Sequence, residues 1–491
     1  MKVLFLSDGN DERVFYSKGD FLGYLKIDEF DDLKTKNFFK RIVVKTSIPD
    51  DKYVIFYDTY DFTFSFDKLL NGNGITKKLI QDLQDKKCSI IFFHSDCNGL
   101  GEYRYDNPVW KKFSKMIKKY NIDKQNISFI FQETVVDEQK NFIGVDKKHL
   151  SKYKKVPNNK TAIMIRNTKK VILSSDSRYK KYLKLKDKSP DLEQELVDEL
   201  NNVIDWDSCL DFKIIFHNRN IIWTNTWDNH KLNQGNSLKW IYYNSRNYYR
   251  NFKYCSLNNN IKDHRVDLYL FLVANNFIKY GVCGFFGGTQ AKEQGVDKLD
   301  FGKYKRRQTS GIIDFSKLYD KKTVEIANKS IPMSYDLKNH DGISADYLNP
   351  IPLFNSYYNI VTESQVFEYD NMDLQKIFIT EKVWKPIITF QPFIVINHPN
   401  TLKKLKEWGF KTFDGFIDES YDEIKDYKER RKLIFSEIKR LNNMTIEELD
   451  KWYWEMEDIL IYNHDHFYNT FVDREYNKIK DLFVEVWENL N

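Results

Sequence analysis

The sequence predicts an α/β layer fold in two domains, and three observations carry that expectation. The chain has 491 residues, more than one ordinary core accommodates. Its first half holds short, nearly continuous apolar runs: "KVLFLSDGN", "KYVIFYDTYD", "CSIIFFHSDCNG" and "ISFIFQET". Runs of that kind read as strands buried on both faces and therefore parallel. Amphipathic stretches lie between them. In "WKKFSKMIKKYNI", Trp110, Phe113, Met116, Ile117 and Tyr120 recur at helical spacing. Strand alternating with helix is the pattern of an α/β layer fold.

The pattern restarts in the second half. "FKYCSL" (252–257) reads as a strand, "NNNIKDH" as a loop, and "RVDLYLFLVANNFIKYG" as a helix with Gly281 near its end. "VCGFFGG" follows, then a polar connection to about Pro352 and a strand at "YYNIV" (357–361). The tail reads as helical. "TIEELDKWYWEMEDILIYN" opens with a capping box, Thr445 and Glu448, and "REYNKIKDLFVEVWENLN" closes the chain.

Composition narrows the class. Apolar residues make up 41% and aromatics 16%, enough for full cores, and a net charge of +6 is modest for the length. The five cysteines, Cys88, Cys97, Cys209, Cys255 and Cys283, are odd in number and widely spaced without a CxxC pair. That argues against a disulfide framework or a structural zinc site and fits a reducing compartment best. "MKVLFLSDGND" has too few apolar residues before Ser7 and Asp8 for a signal peptide, and no run reaches the length of a membrane helix. The expectation is a cytoplasmic protein with no membrane span. One segment departs from the balance: residues 147–188 hold 15 Lys and Arg but only two acids, Asp176 and Asp187. It reads either as a solvated face or as a surface for a polyanion.

The most informative stretch is "KIFITEKVWKPIITFQPFIVI" (376–396), which sets an acid beside a base ahead of an apolar run. "YNIV" and "PFIVI" suit neighbouring parallel strands joined by a crossover. Thr380 is a natural N-cap and Glu381 suits a first turn, while Pro386 is expected to limit the helix to little more than a turn or to bend it. That places Thr380, Glu381 and Lys382 at the sheet edge where ligands of open α/β sheets bind. Helix N-terminal amides and Lys382 favour a phosphate, and Glu381 can accept hydrogen bonds from sugar hydroxyls. Read alone, the same residues also fit a helix-terminal carboxylate and a surface lysine. Trp384 reads as core.

"YYNIVTES…FITEKVWKPIITFQPFIVI" resembles the donor-binding region of the α-1,3-fucosyltransferase family. Glu363 matches the glutamate of that family's Phe-Glu-Asn strand end. Thr380, Glu381 and Lys382 match its Tyr-Val-Thr-Glu-Lys motif. "KYCSLNNNIKDHRVDLYLFLVANN" looks like its strand–loop–helix with a phosphate-contacting arginine, for which Arg265 is the match. The resemblance covers roughly 250–420 and extends in style to "GFKTFDGFIDESYDEIKD", as in glycosyltransferases of phages and giant viruses. Ser364 stands where the family has asparagine and Phe378 where it has tyrosine, and its N-terminal Glu-Ser-Pro motif is not found.

The resemblance implies a GT-B architecture: two Rossmann-like domains facing across a cleft, with a C-terminal helical tail. Residues 1–250 form the acceptor domain, with 147–188 as a basic insertion. Residues 251–465 form the nucleotide-sugar domain, and 466–491 a helix packing back on the N-terminal domain. The implied activity is inverting, metal-independent transfer of a sugar from a GDP- or UDP-linked donor to an acceptor hydroxyl, with the nucleotide sugar as co-substrate and no cofactor. The acceptor is a glycan or a hydroxymethylated base of viral DNA, which would place the protein in a host cytoplasm.

Such a transfer needs a general base at the acceptor and positive charge at the leaving diphosphate. Arg265, Glu363, Thr380, Glu381 and Lys382 are the donor-site candidates. Asp96 and Glu102, in "FFHSDCNGLGEYRY", lead for the base and Glu133, after "ISFIFQ", is next; Asp8, Asp58 and Asp61 sit at similar strand ends, and no spacing decides among them. Lys180, Lys181, Lys184 and Lys186, interleaved with Tyr153, Tyr179 and Tyr182, are the candidates for an acceptor DNA backbone. "CGFFGG" (283–288) lacks dinucleotide-motif spacing and reads as a tight strand-to-loop element beside the donor, and "HDH" (464–466) is not read as a metal site. The rival class is a non-catalytic nucleic-acid or polyanion-binding protein on an α/β shell.

Overall fold

The computed structural model describes residues 1–7, 14–15, 18, 21–22, 25, 36–45, 47–59, 74–94, 117–132, 213–217, 238–258, 262–285, 313, 315–329, 348, 350–363, 366 and 379–491. The chain is α/β. It divides into two compact units, one of residues 1–219, 368–376 and 473–491, the other of residues 220–367 and 377–472.

The first unit carries a seven-stranded sheet. β1 (Lys2–Ser7), β3 (Val43–Lys45), β4 (Tyr53–Thr59), β5 (Cys88–His94), β6 (Ile127–Gln132) and β7 (Lys213–His217) run parallel, and β2 (Val14–Phe15) pairs antiparallel with β1. The order is β2-β1-β4-β5-β6-β7, with β3 beside β1. The four apolar runs are β1, β4, β5 and β6. Val3, Leu4, Val54, Ile55, Ile90, Ile91 and Phe129 are all buried, as strands covered on both faces require. β7 and the short β3 lie outside those runs. The terminal helix Val472–Leu490 joins this unit through Phe483, which stacks on Phe56 at 5.7 Å and meets Phe21 and Phe39 edge-on. Tyr476 donates a hydrogen bond to the Leu25 carbonyl (2.8 Å).

The second unit is built on four parallel strands: β8 (Phe252–Asn258), β9 (Gly281–Phe285), β10 (Ser356–Thr362) and β11 (Phe393–Ile396), in the order β11-β10-β8-β9. The chain leaves β8 for a neighbour on one side, β9, and returns on its other side as β10. The strand order therefore reverses between β8 and β10. Open sheets of this kind form a crevice at that point, outside the carboxyl ends of the strands.

The helices differ from expectation in two places. The helix after β8 is Asp263–Ala274, and it stops well before Gly281. Asn276 takes a left-handed φ of 57°, closing the helix, and Gly281 instead opens β9. A Cβ at Gly281 would lie 2.3 Å from the Tyr254 ring across the sheet, so glycine is needed there for close approach. In the "CGFFGG" stretch, 283–285 belong to β9 and 286–288 lie outside the described residues. The second difference is the helix Glu381–Ile388, whose eight residues make just over two turns despite Pro386. Proline removes one backbone hydrogen bond. The turn beyond it is held by Thr389, whose N–H (3.1 Å) and hydroxyl (2.7 Å) both donate to the Lys385 carbonyl, and by Gln391 N–H on the Pro386 carbonyl (2.8 Å).

Trp384 is fully buried and packs among Trp408, Phe410, Phe467 and Phe471 with ring centroids 5.1–5.9 Å away. The capping box of Thr445 and Glu448 forms both reciprocal bonds. The helical tail breaks between Trp454 and Glu457 before resuming through His466. Among the described residues no helix is long and apolar enough to cross a membrane.

Candidate functional site at the carboxyl end of the second sheet

The polar residues of the second sheet gather at the β8–β10 reversal. Ser256 donates to the Ile360 carbonyl (3.2 Å), Asn258 to Ser256 Oγ (3.1 Å), and Thr362 Oγ1 to Asn258 Oδ1. Asn258 and Thr362 end their strands and are buried, as is Ser256. Buried polar side chains are tolerated only when hydrogen-bonded, and these satisfy one another across the two central strands.

Directly after β10 comes Glu363, wholly buried. Its carboxylate accepts from the Thr380 N–H (2.7 Å to Oε1) and from the Thr380 hydroxyl (2.8 Å to Oε2). Thr380 in turn N-caps the helix Glu381–Ile388, its Oγ1 accepting from Lys382 N–H at 3.4 Å. Glu363 thus ties the end of a central strand to the start of the next helix. Thr380 has extended backbone and Glu381 is the first helical residue, so the Thr-Glu-Lys triplet starts the helix as its side-chain chemistry dictates.

The helix after β8 brings two more groups to Glu363. His264 Nε2 donates to the Glu363 carbonyl (2.8 Å); a carbonyl only accepts, so the proton sits on Nε2. Arg265 Nη2 donates to the Thr362 carbonyl (3.2 Å) and reaches that of Glu363 (3.5 Å). Both side chains are buried. Burial, with the Arg265 charge beside it, pushes His264 well below the usual imidazole range and keeps it neutral. Burial also pulls the Arg265 guanidinium down to about 10, against the attraction of Glu363 and Glu381, so it stays charged at neutral pH.

The accessible part of the cluster is Glu381 and Lys382. Their side chains are 14% and 28% exposed, and Lys382 Nζ lies 2.7 Å from Glu381 Oε1 and 3.2 Å from Thr380 Oγ1. Burial works against the charged form of Glu381, but Lys382 and Lys385 together hold its carboxyl down to about 2. Glu363 is the opposite case. Burial raises its carboxyl above the ordinary range, against the pull of Lys382. Two carboxyl groups in unlike environments, three cationic side chains and a capped helix N-terminus therefore meet at one strand reversal. The cations and amides can hold an anion, and the exposed carboxylate can accept hydrogen bonds from hydroxyl groups.

The structure thus brings together Arg265, Glu363, Thr380, Glu381 and Lys382. The sequence reading passed over Asn258, His264 and Thr362, although a polar residue closing an otherwise apolar strand is a visible signal. The base candidates Asp96, Glu102 and Glu133, with Asp8 and Asp61, lie outside the described residues, as do Lys180, Lys181, Lys184 and Lys186. Asp58 is the penultimate residue of β4. His464 is committed to the Ile388 carbonyl (3.0 Å) and His466 to that of Trp408 (2.8 Å). No protein family model matches the chain, and no curated protein matches it.

Proposed function

We propose that the protein is a glycosyltransferase of GT-B type that binds a nucleotide sugar at the carboxyl end of β8 and β10. The observation that carries this reading is the Glu363–Thr380 tie. It fixes a helix N-terminus carrying an accessible Lys382 and Glu381 beside a buried, charged Arg265. A leaving nucleoside diphosphate needs fixed positive charge, which Lys382, the helix amides and Arg265 supply. Glu381 stays ionised at neutral pH and accepts from hydroxyls of the donor sugar. Glu363 is a positioning residue, since both of its oxygens are taken up by Thr380.

The transfer proceeds by direct displacement at the anomeric carbon with inversion. The acceptor hydroxyl attacks, a carboxylate takes its proton, and the diphosphate leaves toward Lys382. Asp96, Glu102 and Glu133 are the residues to test for that base. The acceptor is a hydroxyl of a glycan or of a hydroxymethylated base.

The test is calorimetric titration of the whole protein with GDP, UDP and their sugars. One nucleoside diphosphate should bind and raise the melting temperature. Lys382→Ala should weaken that binding by roughly 10- to 150-fold, the value of one charge-assisted contact of about 1.5–3 kcal/mol. Binding of no diphosphate by the wild-type protein, or equal binding by the variant, would remove the reading.

A further inference from the structure

The opposite end of the same sheet carries a groove of about 410 Å³. It lies where the chain enters β8 and β10. Arg250 stands two residues before β8 and Asn355 one residue before β10, and the Phe252 N–H donates to the Asn355 carbonyl (2.9 Å). Glu363 lies past the other end of β10, so at about 3.3 Å per residue the two sites are separated by roughly 25 Å along the strand.

Three aromatic side chains line the groove while remaining in water: Trp240 (50% exposed), Tyr248 (74%) and Tyr249 (62%). Tyr248 and Tyr249 have no ring contact or side-chain hydrogen bond among the described residues, so packing does not explain their placement. Two amides line it as well. Asn244 and Asn355 each donate one N–H back to a helix carbonyl, of Trp240 (2.8 Å) and Ile351 (3.0 Å). Each Oδ1 and second N–H is left uncommitted among the described residues.

Among the described residues the groove's one ionised group is Arg250, which is only 5% exposed. Its Nη1 donates to the Phe354 carbonyl, and its guanidinium lies over the Tyr453 ring at 4.2 Å. The described lining therefore offers flat apolar faces and neutral hydrogen-bonding groups, and among the described residues its one cation is turned to a carbonyl and a ring. We infer that this groove binds a neutral oligosaccharide, whose pyranose faces cover the aromatic rings while its hydroxyls bond the two asparagines. A described lining with a single, buried cation disfavours a nucleic-acid strand, which needs cations along its backbone. The groove shares no residue with the carboxyl-end cluster, so this inference does not depend on the nucleotide-sugar reading.

The experiment is titration of the full chain with neutral hexose and N-acetylhexosamine oligosaccharides, followed by tryptophan fluorescence and calorimetry, with oligothymidylate and a proline-rich peptide as competing probes. At least one oligosaccharide should bind saturably. Tyr248→Ala/Tyr249→Ala, both at exposed positions, and Trp240→Ala should each weaken it by about tenfold or more, the usual worth of a stacking anchor. Nucleoside diphosphate affinity should be unchanged in all three. The inference is overturned by saturable binding of no oligosaccharide, by binding that these variants leave intact, or by oligothymidylate or the peptide binding where sugars do not.

Discussion

The two ends of the second sheet are built from the same four strands and are chemically opposite. At the carboxyl end, titratable groups are taken out of water: Glu363, Arg265 and the neutral His264 are buried, His264 and Arg265 donate to the Glu363 and Thr362 carbonyls, and the Glu363 carboxylate accepts from Thr380. Asp267, one turn further along the same helix, is buried too. It is held by Arg431 (2.9 Å from Nη2 to Oδ1) and by the Tyr319 hydroxyl (2.7 Å). At the amino end the one lining cation among the described residues, Arg250, is held by the Phe354 carbonyl and the Tyr453 ring, and uncharged rings face solvent. Burying ions costs several kcal/mol each unless they are paired, so the first end holds its geometry through charge and is vulnerable to losing a partner. The second holds its geometry through strand pairing, neutral hydrogen bonds and the Arg250–Tyr453 contact.

The largest effect should come from breaking the charged end. Arg431→Met leaves Asp267, whose side chain is fully buried, without its counter-ion. Chemical denaturation should show a loss of about 3–5 kcal/mol, the cost of orphaning one member of a buried pair. Adding Asp267→Asn should recover a substantial part. A loss below about 1 kcal/mol in the single variant would mean that the pair is solvated and the contrast between the two ends overstated.

A smaller effect separates the two carboxyl groups by pH. The folded value for Glu381 is about 2, below the ordinary 4.5. It contributes stability that is fully present above about pH 4.5 and is lost as pH falls toward 2, up to about 3 kcal/mol. Glu363 is shifted the other way. Its contribution is present below about pH 4.5 and is lost as pH rises through the raised value. Urea midpoints for Glu381→Gln should therefore fall less than those of wild type between about pH 5 and pH 3. Parallel acid limbs in the two proteins would show that Lys382 and Lys385 do not hold the Glu381 charge.

The smallest effect is at the amino end. Tyr248→Ala, at a side chain 74% exposed, should change unfolding free energy by no more than about 0.5 kcal/mol. A loss above about 1.5 kcal/mol would show that the ring is part of the core and remove the contrast at its neutral end.

Much of the second unit was legible in the chain. The strands at 252–258, 356–362 and 393–396 announce themselves as apolar runs, and Thr380 followed by Glu381 announces a capped helix start. The capping box at Thr445 needs only its own four residues. Those features rest on local periodicity and local hydrogen bonding, which sequence records directly. The site was legible in part. Thr380, Glu381 and Lys382 are contiguous, and Glu363 closes a readable strand.

What the sequence by itself determined is therefore the alternation of strand and helix and the helix start that carries the Thr-Glu-Lys triplet. Tertiary structure alone decided which side each strand joined, β9 on one edge of β8 and β10 on the other, and hence that Arg265 and Glu363, 98 residues apart, share one end of the sheet. It also decided that Gly281 faces the Tyr254 ring rather than ending a helix, that Pro386 is carried inside one, and that rings from 240–250 meet residues 350–355 in a groove. The physical reason is the range of the interactions. Caps and periodicity act over a few residues and leave a local trace. Strand pairing, buried charge compensation and ring packing join residues far apart in the chain, and their partners are fixed only once the sheet has formed.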